Sequence, residues 1–81
     1  EAWLVIVTSS PKAARKEVEA ERDRFRRRGV DLEIFDTDAY PLLKSDMWTL
    51  ALGPFDSKTE ADAKAAEIGS KVRGVMVRRG L

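Results

Sequence analysis

The two halves of the sequence echo each other: Trp48 matches Trp3, Ser57 matches Ser10, Ala61 matches Ala14 and Val75 matches Val30. The offset is 45 at the strand starts and 47 at the helix start. In each half an apolar, β-branched run precedes a helix-forming stretch, and a second apolar run follows it. A chain of 81 residues supports only one core, so both β-α-β units must share one sheet. The expectation is an α+β, ferredoxin-like β-α-β-β-α-β sandwich: a four-stranded antiparallel sheet with two helices on one face.

The elements follow from local pattern. Trp3-Leu4-Val5-Ile6-Val7-Thr8 reads as a strand closed by Ser9-Ser10-Pro11, with Ser10 as N-cap and Pro11 at the first helical position. The first helix runs to Arg28 and stops at Gly29, burying a narrow stripe of Ala14, Val18, Phe25 and the stem of Arg22. Val30 to Ile34 alternates apolar and charged residues, as a half-buried strand does. Asp36 to Asp46 reads as a loop in which Tyr40, Leu42 and Leu43 can tuck against the core. Met47 to Leu52 is the third strand, ended by the breaker pair Gly53-Pro54. Ser57 and Glu60 have the spacing of a capping box, opening a helix with Ala61, Ala65 and Ile68 on one face. Val75 to Arg78 is the last strand.

Period two then assigns faces. Val5, Val7, Val30, Leu32, Ile34, Leu50, Leu52, Val75 and Val77 are expected beneath the helices. Leu4, Ile6, Thr8, Asp31, Glu33, Met47, Thr49, Ala51, Met76 and Arg78 fall on the opposite side, expected to be uncovered. An uncovered sheet face with aliphatic residues in its middle is a contact surface, so the function expected is binding.

Composition excludes most alternatives. There is no Cys and no His, which removes thiol chemistry, the commonest general base and the commonest metal ligand. The Asp residues of the long loop lack the glycine and bidentate glutamate of a calcium loop, and no phosphate-cradling glycine motif is present. No enzyme activity, metal or cofactor is expected. A net charge of +1 gives no bulk reason to expect nucleic acid. The uncovered positions of the central strands carry no stacking aromatics of the kind RNA-recognition sheets use. The one basic run, Arg22 to Arg28, reads as a solvated helix end whose cations suit the helix dipole. The longest apolar run, Ala2 to Val7, is too short to span a bilayer. The chain opens on Glu1 and carries no signal peptide, so it is expected to be a single domain, 1–81, cut from a longer protein.

The segment Trp48-Thr49-Leu50-Ala51-Leu52-Gly53-Pro54-Phe55, followed by Ser57, Glu60 and Ala61 and later by Val75 to Arg78, resembles the SPOR domain (sporulation-related repeat). That family comprises non-catalytic peptidoglycan-binding modules of the bacterial cell envelope, acting at division septa. The resemblance implies a cell-envelope location and a ligand of glycan strands stripped of stem peptides, bound on the exposed sheet face and the turn after the first strand. By position, the family's strand-one Gln falls on Ile6 and its turn Ser on Ser9. Its third-strand Arg falls on Thr49, its aromatic near Met47 with Trp48 one place off, and its last-strand apolar residue on Met76. The expected ligand-binding set is Ile6, Ser9, Met47, Trp48, Thr49, Ala51, Met76 and Arg78. Here Trp48 or Met47 supplies an apolar platform, and Ser9, Thr49 and Arg78 bond sugar hydroxyls and acetamido groups. Because Ile6 and Thr49 replace the family's polar and charged residues, the alternative is a degenerate scaffold for protein–protein contact or self-association through the same face.

Overall fold

In the computed structural model, which describes residues 1–81, the order is β1 (Trp3–Pro11), α1 (Arg15–Arg27), β2 (Glu33–Asp36), β3 (Met47–Phe55), α2 (Lys58–Ile68) and β4 (Met76–Arg79). The four strands form one antiparallel sheet in the order β2-β3-β1-β4. Both helices cover the same face, so the chain is a ferredoxin-like α+β sandwich. Val18 and Phe25 of α1 pack with Val30, Leu32, Leu50 and Val72. Ala61 and Ile68 of α2 pack with Val5, and half-buried Val7, Leu52 and Val75 join the two clusters into one core. Ala61 is fully buried, the methyl group letting α2 come close to the sheet. The Ser57 hydroxyl caps the Glu60 amide at 3.2 Å as expected, and the Glu60 carboxylate accepts from that same hydroxyl at 3.1 Å.

Two irregularities reshape the central pair. Ile6 pairs with Ala51, but Thr8 pairs with Leu50, so Val7 and Thr8 together oppose a single step of β3. This bulge inverts the parity of the rest of β1. Thr8 and Ser10 therefore turn toward the helices, and Ser9 takes the opposite face, against the expectation for Thr8. The strand also runs on to Pro11, so Ser10 is not an N-cap; a 3-10 turn, Lys12–Ala14, leads into α1, whose start has no side-chain cap. The second irregularity lies between Trp3 and Val5, which pair with Phe55 and Leu52. Gly53-Pro54, joined by a cis peptide, thus sits inside β3 rather than ending it. A Cβ at Gly53 would lie 2.9 Å from the Trp3 carbonyl oxygen, and its φ of +124° is one that only glycine adopts freely. Phe55 pairs with Trp3 across the two strands, and both pack against the cluster of Val5, Ala61 and Ile68.

The main departure concerns the face away from the helices. Residues 37–46, between β2 and β3, cross it as a strap. Tyr40 and Leu43 of the strap, with Phe35 of β2, pack on Leu4, Ile6 and Ala51 as a second small core. Phe35 and Tyr40 meet edge to face, with ring centroids 5.9 Å apart. The strap is pinned at its root, where the Thr37 hydroxyl donates to the Met47 carbonyl (3.1 Å) and accepts from the Met47 amide (3.0 Å). The Asp46 amide donates to the Asp38 carboxylate at 2.8 Å. On the far side the Leu42 amide donates to the Gly80 carbonyl (3.2 Å), while the Gly80 amide donates to that of Ala2 (2.7 Å). A Cβ at Gly80 would fall 2.7 Å from Tyr40 Cδ1, so glycine there gives the ring its seat. Leu42, expected to tuck in with its neighbours, is instead 59% exposed.

Candidate functional site

The strap corrects the expected binding face. Ile6 and Ala51 are 6% and 0% exposed, sealed beneath Phe35, Tyr40 and Leu43, and Thr49 beside them is 1% exposed. Parity placed them on the right side of the sheet, but that side is covered, so they cannot touch a ligand. Ser9 is exposed beside them, and its hydroxyl shares a 2.8 Å hydrogen bond with that of Thr49, which satisfies the buried threonine. Met47 is half-buried where the strap rejoins β3. Met76 and Arg78 remain exposed on the edge strand β4, paired with Ile6 and Leu4. The eight residues thus do not form one surface.

Trp48 lies on the helix side. Its indole Nε1 donates to the Lys12 carbonyl at 3.0 Å, and the Lys12 ammonium and Arg15 guanidinium sit 4.4 and 4.5 Å from ring centroids. With two cations over it, the ring anchors the turn into α1 and is not a free stacking platform. Lys12 also joins this corner to the strap, 2.8 Å from Asp36 and 3.2 Å from Asp38. The hydrogen bond from Lys12 holds the Asp36 carboxyl below the usual carboxylate range, helped by the Asp38 amide. The same bond raises Lys12 above the usual lysine value, against a smaller opposing effect of desolvation.

Beside Trp48 the bulge opens a groove of about 270 Å³ between the end of β1 and α1. Val18 and Leu50 supply its apolar lining. Thr8 and Ser10 contribute hydroxyls from β1, and Glu17, Glu21 and Arg24 line it from α1 at helical spacings of four and three. Glu21 and Arg24 are ion-paired with each other. No buried side-chain nitrogen or oxygen lacks a partner anywhere in the chain. The Thr8 and Ser10 hydroxyls and the Glu17 carboxylate, which bond to nothing within it, therefore face solvent. Two hydroxyls and a free carboxylate can donate to and accept from a polyhydroxylated ligand, and the indole rim offers it an apolar contact. The volume is below that of a typical drug-sized pocket and suits a single ring of a longer chain.

Of this groove the expected ligand-binding set holds only Trp48; Val18 and Leu50 are expected in the core. Strict alternation sends Thr8 to the opposite face, and Ser10 reads as a helix cap rather than as part of the strand that carries it here. Glu17, Glu21 and Arg24 read as solvated helix surface, although they flank the buried Val18. No three His, Cys, Asp or Glu side chains gather as a metal site, and no helix is long and apolar enough to cross a membrane. No protein-family model, curated protein or solved structure matches the chain.

Proposed function

We propose that this chain is a non-catalytic, SPOR-like module that binds peptidoglycan glycan, with the sugar seated in the groove beside Trp48 rather than on the sheet face. The observation that carries the reading is the convergence of Thr8, Ser10 and Glu17, all free to bond, against the Trp48 rim. The resemblance of Trp48 to Phe55, Ser57, Glu60 and Ala61 to the SPOR pattern supports the ligand class. A ligand rich in hydroxyls and low in charge suits a groove whose only cation, Arg24, is already paired with Glu21. Affinity for one glycan segment is modest, because a shallow groove desolvates few groups.

The test is retention on purified sacculi with and without amidase treatment, which strips stem peptides. Retention should rise after stripping and fall in a Thr8→Ala/Glu17→Gln double variant. Equal retention by wild type and variant rejects the groove, and no retention at all rejects the glycan reading.

A second reading, contact with a protein or with another copy of the chain, draws on different atoms. Met76 is 47% exposed on β4, the strand that ends the sheet, and β4 has no neighbour on its outer side. Light scattering that shows a dimer in the wild type and a monomer in Met76→Lys, with no sacculus retention, favours this reading.

A further inference from the structure

The basic run at the end of α1 is not uniformly solvated charge. Arg22 pairs with Asp23 at 3.3 Å, Arg24 pairs with Glu21, and Arg26 lies 3.3 Å from Asp31. Arg27 and Arg28 have no carboxylate within the 4.0 Å of an ion pair. Neither do Lys71 and Arg73, which the loop between α2 and β4 brings to the same end of the molecule. Arg28, Ser70, Lys71 and Arg73 line a cleft of about 570 Å³ floored by Phe25 and Val72, with no acidic residue in its lining. Asp31 and Glu67, the acids of the adjoining depression, are occupied by Arg26 and by Lys64 at 3.3 Å.

Arg28 is held in place. Its guanidinium carbon sits 5.2 Å from the centroid of the Phe25 ring, and Nη2 donates to the Lys71 carbonyl. The remaining N–H groups of the fork are left for a ligand, and a fixed fork loses little freedom on binding. Helix dipoles account for only part of the charge. The C-termini of α1 and α2 contribute about half a negative charge each, so Arg28, Lys71 and Arg73 leave a net of roughly +2 in the cleft. That matches an oxyanion carrying two charges, and a guanidinium fork beside an ammonium and a hydroxyl is the donor set that phosphoryl oxygens accept. The cleft far exceeds the ~30 Å³ of one water, so the phosphoryl group can carry a substituent.

We propose that this cleft is a binding site for a phosphoryl dianion, free or carried as a monoester, held by Arg28, Lys71 and Arg73 with the Ser70 hydroxyl. It shares no residue with the groove beside Trp48, so the two sites stand or fall separately.

The probes are inorganic phosphate and glucose 1-phosphate, titrated at about pH 8, where both are dianions, and at constant ionic strength, followed by amide and arginine Nε NMR signals. Both should give saturable shifts confined to residues 69–74 and the Arg28 side chain. A Lys71→Ala/Arg73→Ala variant, altered only at exposed positions, should bind at least about tenfold more weakly, equivalent to about 1.4 kcal/mol. Arg78→Ala, which removes a cation from another part of the surface, should bind as the wild type does. Tighter binding of glucose 1-phosphate than of phosphate identifies a phosphorylated sugar as the source, and equal binding identifies the free ion. Shifts that chloride reproduces, a loss of binding in Arg78→Ala equal to that in the double variant, or no saturation with either probe would overturn the proposal.

Discussion

Ile6→Ala separates a covered sheet face from an open one. Ile6 is 6% exposed and belongs with Leu4 and Ala51 to the small core beneath Phe35, Tyr40 and Leu43. The substitution deletes three carbons, worth about 0.8 kcal/mol each in transfer from water, or roughly 2.4 kcal/mol. The strap is tied to Met47 at its root and to Gly80 on its far side, so it closes only partly over the space left behind. A cavity contribution then brings the total to about 3–4 kcal/mol, within the range of buried Ile-to-Ala changes. An isoleucine on an open face would cost no more than about 0.5 kcal/mol. For a domain of this size each kcal/mol moves Tm by roughly 4–8 °C, so a loss of 3 kcal/mol lowers Tm by about 12–24 °C. Thermal unfolding followed by circular dichroism measures this directly, and Tyr40→Ala combined with Ile6→Ala should cost less than the sum of the single changes. A fall in Tm below about 4 °C for Ile6→Ala would refute the reasoning.

Other outcomes follow from the same contacts. Asp36 has its pKa lowered in the folded chain, so its pair with Lys12 stabilises above the usual carboxylate range and is lost as pH falls through it. Lys12, whose pKa is raised, keeps its share below the usual lysine range and loses it as pH rises beyond. The Tm difference between wild type and Asp36→Asn should therefore be level between about pH 5 and pH 9 and shrink as pH falls below the ordinary carboxylate value. Gly53→Ala should lose roughly 1–3 kcal/mol in urea unfolding, since a Cβ there meets the Trp3 carbonyl at a φ of +124°. Ser57→Ala should lose about 1 kcal/mol by the same assay through the α2 cap.

Hydrophobic periodicity made the fold legible: Val5, Leu50 and Leu52 face the helices, and Val18, Phe25, Ala61 and Ile68 meet them from above. What alternation does not encode is a bulge. Nothing in Val7-Thr8 marks the extra residue, because its cause is the pairing with β3. Gly53-Pro54 misled in the opposite direction, since a breaker pair is tolerated in a strand when a register shift absorbs it. The strap was half visible. Tyr40 and Leu43 are too apolar for a solvated loop, but composition alone does not say which side of the sheet they cover. The aliphatic residues Leu4 and Ile6 carried that information, because side chains of that size on a small domain are buried more often than displayed. The groove was illegible because its polar lining depends on the bulge, which turns Thr8 and Ser10 toward the Glu17, Glu21 and Arg24 face of α1.

The most direct test of the account is an amide NMR titration with amidase-stripped glycan fragments, using the Trp48 indole Nε1–H as an additional reporter. The account predicts saturable shifts at Thr8, Ser10, Glu17 and the Trp48 indole, with Tyr40, Leu43 and Ala51 unchanged. Shifts centred on Met76, Arg78 and the strap, with the Trp48 signal unmoved, would contradict it.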